Sequence, residues 1–239
     1  MIILYKAPPG FGLPSVSPFC VKLEAHLRLA EIEYQVKLGS PKNGPRNKVP
    51  WIEDGATVVA DSQLIIEYLV ERYGDRLDGG LSAEQRATAH VLRRMLEEGT
   101  YWVGGYEHWI APRGFAHYSA AMRSKLPPLL GWWVMKSIRK AIRGQLDAQG
   151  TGRYSAAEIT ALGAADFRAL ATILGDKPFV LGDQPTSIDA VACAFFAGIF
   201  WSGFDSPIRN AVEDFALLEA YGRRIWQRCF TDYPLPAAP

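Results

Sequence analysis

A chain of 239 residues is long enough for one large domain or two small ones, with ample material for a packed core. Lys and Arg total 26 against 25 Asp and Glu, so a net charge of +1 gives no electrostatic case for nucleic acid. Three cysteines (Cys20, Cys193 and Cys229) are odd in number and widely spaced; they imply no disulfide framework and fit a reducing compartment.

In chain order, Ile2 to Tyr5 predicts a short strand, reached without the charged start and long apolar core of a signal peptide. A Gly/Pro-rich loop follows from Ala7 to Val16. Phe19, Leu23, Leu27 and Ala30 then fall at helical spacing, with Lys22, Glu24 and Arg28 between them, and Pro18 suits the first helical position. Tyr34 to Leu38 predicts a second strand. Val49–Asp54 and Thr57–Ala60 form a hairpin turned at Asp54-Gly55. Ser62 is a natural N-cap for a helix whose apolar face carries Ile65, Tyr68, Leu69 and Tyr73. This order makes a compact thioredoxin-like unit over residues 1–76.

From Gly74 to Leu81 the composition turns to that of a linker, and residues 82–239 read as an all-helical domain. Ser82–Gln85 and Ser155–Glu158 are capping boxes, and Thr186–Asp189 has the same logic. The nearly all-apolar helix that follows Asp189 belongs in the middle of a bundle. Its run from Ala190 to Trp201 is too short to span a bilayer, and the Pro-rich ending from Tyr233 to Pro239 is no membrane anchor. The expectation is a soluble cytoplasmic protein without a membrane span. Met135, Ile138, Ile142 and Leu146 form a stripe whose neighbours Lys136, Arg139, Lys140 and Arg143 read as a solvated face; beside Trp132 and Trp133 they also admit membrane or partner contact. The four histidines show no ligand spacing, so no metal site is expected.

Ser17-Pro18-Phe19-Cys20 stands where a thioredoxin-type active-site turn would stand, with serine in place of the first cysteine. Two-cysteine exchange needs an attacking and a resolving thiol, so it is excluded. What remains is a helix N-terminus presenting a hydroxyl to a bound thiol. Ser17 also has a plain role as N-cap; one donor and two acceptor sites make the two roles compatible. Ser15 and Tyr5 stay open as alternative hydroxyls. Cys20, near the third helical position, reads first as a packing residue, with thiol chemistry as the other option. Lys48-Val49-Pro50 enters a strand where a cis proline would leave Val49 free to pair with a peptide ligand. Asp61-Ser62 opens a helix whose free N–H groups can hold a carboxylate.

With these features in this order, the chain resembles the glutathione transferase superfamily over essentially its whole length. Within it, the likeness is to the metaxin-like and failed-axon-connections-like branch. It rests on Ser17–Glu24, Ile52–Gly55, Ala60–Ser62, Leu96–Glu98 with Tyr101, Trp102, Tyr106 and Trp109, and Gly150–Arg153. The resemblance implies a thioredoxin-like domain followed by a helical bundle, with glutathione bound mainly by the first. Val49 beside cis Pro50 would pair with the cysteinyl backbone, Asp61 and Ser62 would hold the γ-glutamyl end, and Lys48 would meet the glycine carboxylate. Ser17 would stabilise the thiolate. Phe11, Tyr101, Tyr106 and Trp109 would wall a site for a small hydrophobic electrophile, and a homodimer is the default assembly. The other reading is a non-catalytic interaction protein of the same fold, metaxin-like in its role.

Overall fold

The computed structural model describes residues 1–123 and 127–234, so the Pro-rich ending from residue 235 lies outside the described residues. Four strands, β1 (Ile2–Lys6), β2 (Tyr34–Leu38), β3 (Trp51–Asp54) and β4 (Thr57–Ala60), form one sheet in the order β2-β1-β3-β4. β1 runs parallel to β2 and antiparallel to β3, and β3 and β4 make the hairpin. Gly55 turns it at φ +62°, a conformation that costs glycine little. Alternation along β1 sends Ile2 and Leu4 to one face of the sheet, where α1 (Pro18–Leu29) and α2 (Ser62–Tyr73) bury Leu23, Leu27, Ile65 and Leu69 against them.

Beyond the sheet come α3 (Ala83–Arg94), a π-helical turn (Met95–Thr100), α4 (Tyr101–Trp109), α5 (Pro112–Arg123), α6 (Pro128–Gln149) and α7 (Ala156–Leu174). α8 (Ser187–Phe200), the short α9 (Pro207–Ala211) and α10 (Phe215–Cys229) complete the described chain. All three predicted capping patterns form at the starts of α3, α7 and α8. α8 is buried along nearly its whole length and packs against α1, α3 and α10. Asp189 in its first turn is fully buried; it accepts hydrogen bonds from the Thr186 N–H (2.7 Å), the Val180 N–H (3.0 Å) and the Tyr221 hydroxyl (2.8 Å).

Several expectations need correction. The second helix is capped by Asp61, whose side chain accepts from the Gln63 N–H, and Ser62 is its first helical residue. β3 begins at Trp51, so Val49 and Pro50 precede the sheet rather than belonging to it. Gly74–Leu81 is no free linker: Asp78 accepts from both the amide (2.8 Å) and the hydroxyl (2.5 Å) of Ser187, tying the segment to the start of α8.

The largest departure is α1. Lys22 and Glu24 fall between its apolar positions in the sequence, yet every residue from Cys20 to His26 is buried, because the sheet covers one side and α8 the other. The charges are matched instead. Lys22 donates to Glu97 of the π turn (2.5 Å), to Gln63 (3.0 Å) and to Ser62 (3.4 Å) of α2. Glu24 pairs with Lys6 of β1 and with Arg28, and it accepts from the Tyr34 hydroxyl at 3.1 Å. Arg28 in turn pairs with Asp232 near the end of the described chain.

Candidate active site

Ser17 is the N-cap of α1 by backbone geometry, but its hydroxyl makes no capping hydrogen bond. It is half-buried at the N-terminal end of that helix, where unpaired N–H groups and the helix dipole favour negative charge. Ser15 is differently employed. It is 1% exposed, donates to the Ala7 carbonyl (3.0 Å) and accepts the Ser17 N–H (3.3 Å), so it is a strut for the loop. Tyr5 lies on the sheet face opposite α1, stacked on Trp51 at 4.6 Å and donating to Glu53 at 3.0 Å. Ser15 also lines the cleft that Ser17 opens onto, with its hydroxyl held by Ala7, whereas Tyr5 does not line it.

Cys20 is fully buried. Burial pushes its thiol up, against the pull of hydrogen bonds from the Ala7 backbone and the Ser17 and Ser15 side chains. A thiol so placed resists ionisation, and the packing role stands.

Ser17 opens onto a cleft of about 280 Å³ between the sheet domain and the helical bundle. Its lining is mostly apolar. Phe11, Val16 and Pro18 come from the N-terminal loop and helix, Tyr101, Trp102 and Trp109 from α4, and Phe195 and Ile199 from α8. Phe11 reaches across at φ +57° to lie 4.2 Å from the Tyr118 ring of α5, so the loop partly roofs the cleft. His108 also lines it, stacked on Tyr118 at 4.4 Å, and burial lowers its pKa to about 3, so the ring is neutral. Tyr106 does not line the cleft; it packs against the core of the bundle. Trp102, another aromatic of the same set, does line the cleft and shares a face with Trp109 at seven residues' spacing. The π turn adds a residue just before these aromatics, so their phase could not be read by counting from the helix start.

The residues expected to hold a peptide lie outside the lining of this cleft. The Val49–Pro50 bond is cis. Pro50 and Asp61 flank the paired residues Trp51 and Ala60, and the Asp61 N–H reaches the Pro50 carbonyl at 3.4 Å. Asp61 sits at φ +83°, an unfavourable conformation for a residue with a Cβ, of the kind that persists where the surroundings fix it. Lys48 is exposed and Ser62 is 4% exposed, its hydroxyl already taken by Lys22. None of these five residues lines the 280 Å³ cleft.

Residues 18–114 match a family model described as the glutathione S-transferase N-terminal domain, and residues 163–225 one for the C-terminal domain. An isoprene-epoxide–glutathione S-transferase of Rhodococcus sp. (strain AD45) is 35% identical over 198 residues, spanning 80% of this chain and 83% of that protein. The chain belongs to the glutathione S-transferase superfamily. Failed axon connections of Drosophila melanogaster is 32% identical over 98% of this chain, which spans 59% of that longer protein. Mouse metaxin-2 is 24% identical, covering 88% of this chain and 81% of its own. Among solved structures, a β-etherase of Sphingobium sp. strain SYK-6 superposes with a TM-score of 0.67 at 17% identity, over 97% of this chain and 98% of that one, which shows the shared fold.

Proposed function

We propose that this glutathione S-transferase superfamily member is an active transferase, adding the glutathione thiolate to a small apolar electrophile. The observation that carries the reading is the Ser17 hydroxyl at a helix N-terminus, free of any capping hydrogen bond and lining an apolar cleft of about 280 Å³. A free thiol has a pKa of about 8.5 and is mostly protonated at neutral pH. A hydroxyl donating to the sulfur favours the thiolate, and each unit of lowering is worth about 1.4 kcal/mol. The rest of the rate enhancement comes from holding sulfur and electrophile together in a site poor in water.

Glutathione would lie along Lys48, Val49, Pro50, Asp61 and Ser62, its sulfur toward Ser17. Asp61 would pair with the γ-glutamyl ammonium, and exposed Lys48 is free to meet a carboxylate. Ser62 would contribute its backbone N–H, since its hydroxyl serves Lys22. The electrophile would enter among Phe11, Tyr101, Trp102 and Trp109. The name of the Rhodococcus relative makes an epoxide the natural first substrate. The sulfur would attack a ring carbon, the C–O bond would break, and the oxygen would take a proton from solvent. A homodimer is the working assembly.

The test is calorimetric titration with reduced glutathione, followed by turnover of a small alkyl epoxide by the wild type and Ser17→Ala. Micromolar to low-millimolar binding, with kcat/KM down at least about tenfold in the variant, supports the assignment. Absence of glutathione binding refutes it and favours the interaction-protein reading.

A further inference from the structure

One face of α6 serves neither the core nor the cleft. Between Glu107 and Asp147 the chain carries seven Lys and Arg and not one Asp or Glu, in a protein whose net charge is +1. At about 100° per residue, Trp132, Trp133, Lys136, Lys140 and Arg143 fall within a single arc of roughly 100°. All five are exposed, while Met135 and Leu146 on the other side of the helix are buried. The two indoles are 47% and 61% exposed and lie edge to face, centroids 4.9 Å apart. Lys136 Nζ stands 5.0 and 5.8 Å from their ring centres. Among the described residues no carboxylate pairs with Lys136, Lys140 or Arg143. Arg139, by contrast, is used internally: it donates to the Ile110 carbonyl at 2.8 Å and lies over the Phe115 ring.

Two adjacent exposed tryptophans are a costly surface for water alone. Indole suits a boundary, because it has a large apolar body and one N–H, and it is enriched at headgroup depth in bilayers. Unpaired cations beside it supply the attraction to anionic lipid that an interfacial helix uses. A single-stranded nucleic acid would be served by ring faces set along a groove; here the rings turn on one another at one end of a single helix.

We infer that this face of α6 docks on the surface of an anionic phospholipid bilayer. The indoles of Trp132 and Trp133 sit among the headgroups, and Lys136, Lys140 and Arg143 meet their phosphates. Among the described residues no helix is long and apolar enough to cross a membrane, so the attachment is peripheral. The inference does not depend on the transferase reading.

The experiment is co-sedimentation of the full chain with vesicles of phosphatidylcholine alone and with about a third phosphatidylserine. Expected is binding to the anionic vesicles at about 0.1 M salt, release at high salt, and no binding to the neutral ones. Lys136→Glu/Lys140→Glu should weaken partitioning at least about tenfold, and Trp132→Ser/Trp133→Ser should also weaken it. Thermal unfolding like that of the wild type would show that both variants are folded. No binding to anionic vesicles, equal binding to neutral ones, or variants that bind like the wild type would each overturn the inference. So would a Trp-dependent dimer, or RNA binding, in the absence of vesicle binding.

Discussion

Replacing Glu97 by Ala leaves the Lys22 ammonium at 0% exposure without its carboxylate, 2.5 Å away in the native protein. Gln63 at 3.0 Å and Ser62 at 3.4 Å remain as neutral acceptors and soften the loss without cancelling it. Removing one partner of a buried ion pair costs about 3–5 kcal/mol. There is a ceiling, because burial already lowers the Lys22 pKa and the ammonium can escape by losing its proton. At pH 7 that costs about 1.36 kcal/mol per pH unit below its ordinary 10.5, or about 4.8 kcal/mol in all. The expected destabilisation is therefore about 3–5 kcal/mol at pH 7, a fall in Tm of roughly 6–20 °C for a chain of this size.

The pH dependence has a definite sign. A lysine whose folded pKa is depressed makes the unfolded chain the better proton binder between the folded and unfolded values, so stability rises with pH across that window. The deficit of the variant should shrink toward about 2 kcal/mol at pH 9, where neutralising Lys22 is cheaper. Urea unfolding at pH 7 and 9 reads both numbers. A loss below about 1 kcal/mol at pH 7, or a deficit that grows with pH, would refute the reasoning. Lys22→Met/Glu97→Leu, which removes both charges, should recover much of the stability.

Asp189→Ala orphans four donors at the start of α8 at about 1–3 kcal/mol each, so a Tm drop of roughly 8 °C or more is expected by calorimetry. Glu107 is 2% exposed, and burial, opposed by the Ser206 hydrogen bond, raises its pKa from 4.5 to about 7. Its contribution to stability is full below pH 4.5 and lost as pH rises through about 7, a difference of about 3 kcal/mol. Glu107→Gln should flatten that dependence, as measured by urea midpoints at pH 5 and 7. Cys20→Ala should leave epoxide conjugation unchanged, and native Cys20 should resist alkylation at pH 8 until the protein unfolds, as followed by mass spectrometry.

Much of the architecture was legible because its causes are local. Pro18 at a helix start, serine caps three residues ahead of Gln85 and Glu158, and an uninterrupted apolar run after Asp189 each act within a turn or two. The buried charges of α1 were not legible. Lys22, Glu24 and Arg28 are satisfied by Glu97, Lys6 and Asp232, which lie 75, 18 and 204 residues away. Read locally, they could only mark a wet face. The aromatic set was only partly sorted for a related reason: nothing in Met95–Thr100 announces a π turn, so counting along the helix could not tell that Tyr106 packs into the bundle while Tyr101, Trp102 and Trp109 line the cleft. Ser17 was proposed by analogy of position, with Ser15 and Tyr5 kept behind it as alternatives. The hydrogen bonds of Ser15 to Ala7 and of Tyr5 to Glu53 join residues that no local pattern pairs.

The helix that carries Ser17 is held from behind by the other half of the molecule. α1 rests on α8, Phe19 lies 5.1 Å from Tyr101 and 5.8 Å from Phe195, and Lys22 bridges to Glu97. A sheet domain cut off near residue 76 would expose an apolar flank and two or more unmatched charges, so it is not a module that can be lent to another protein. The same construction couples the Ser17 turn to α8, so substitutions in α8 that lie outside the cleft can shift how the Ser17 hydroxyl is presented to it.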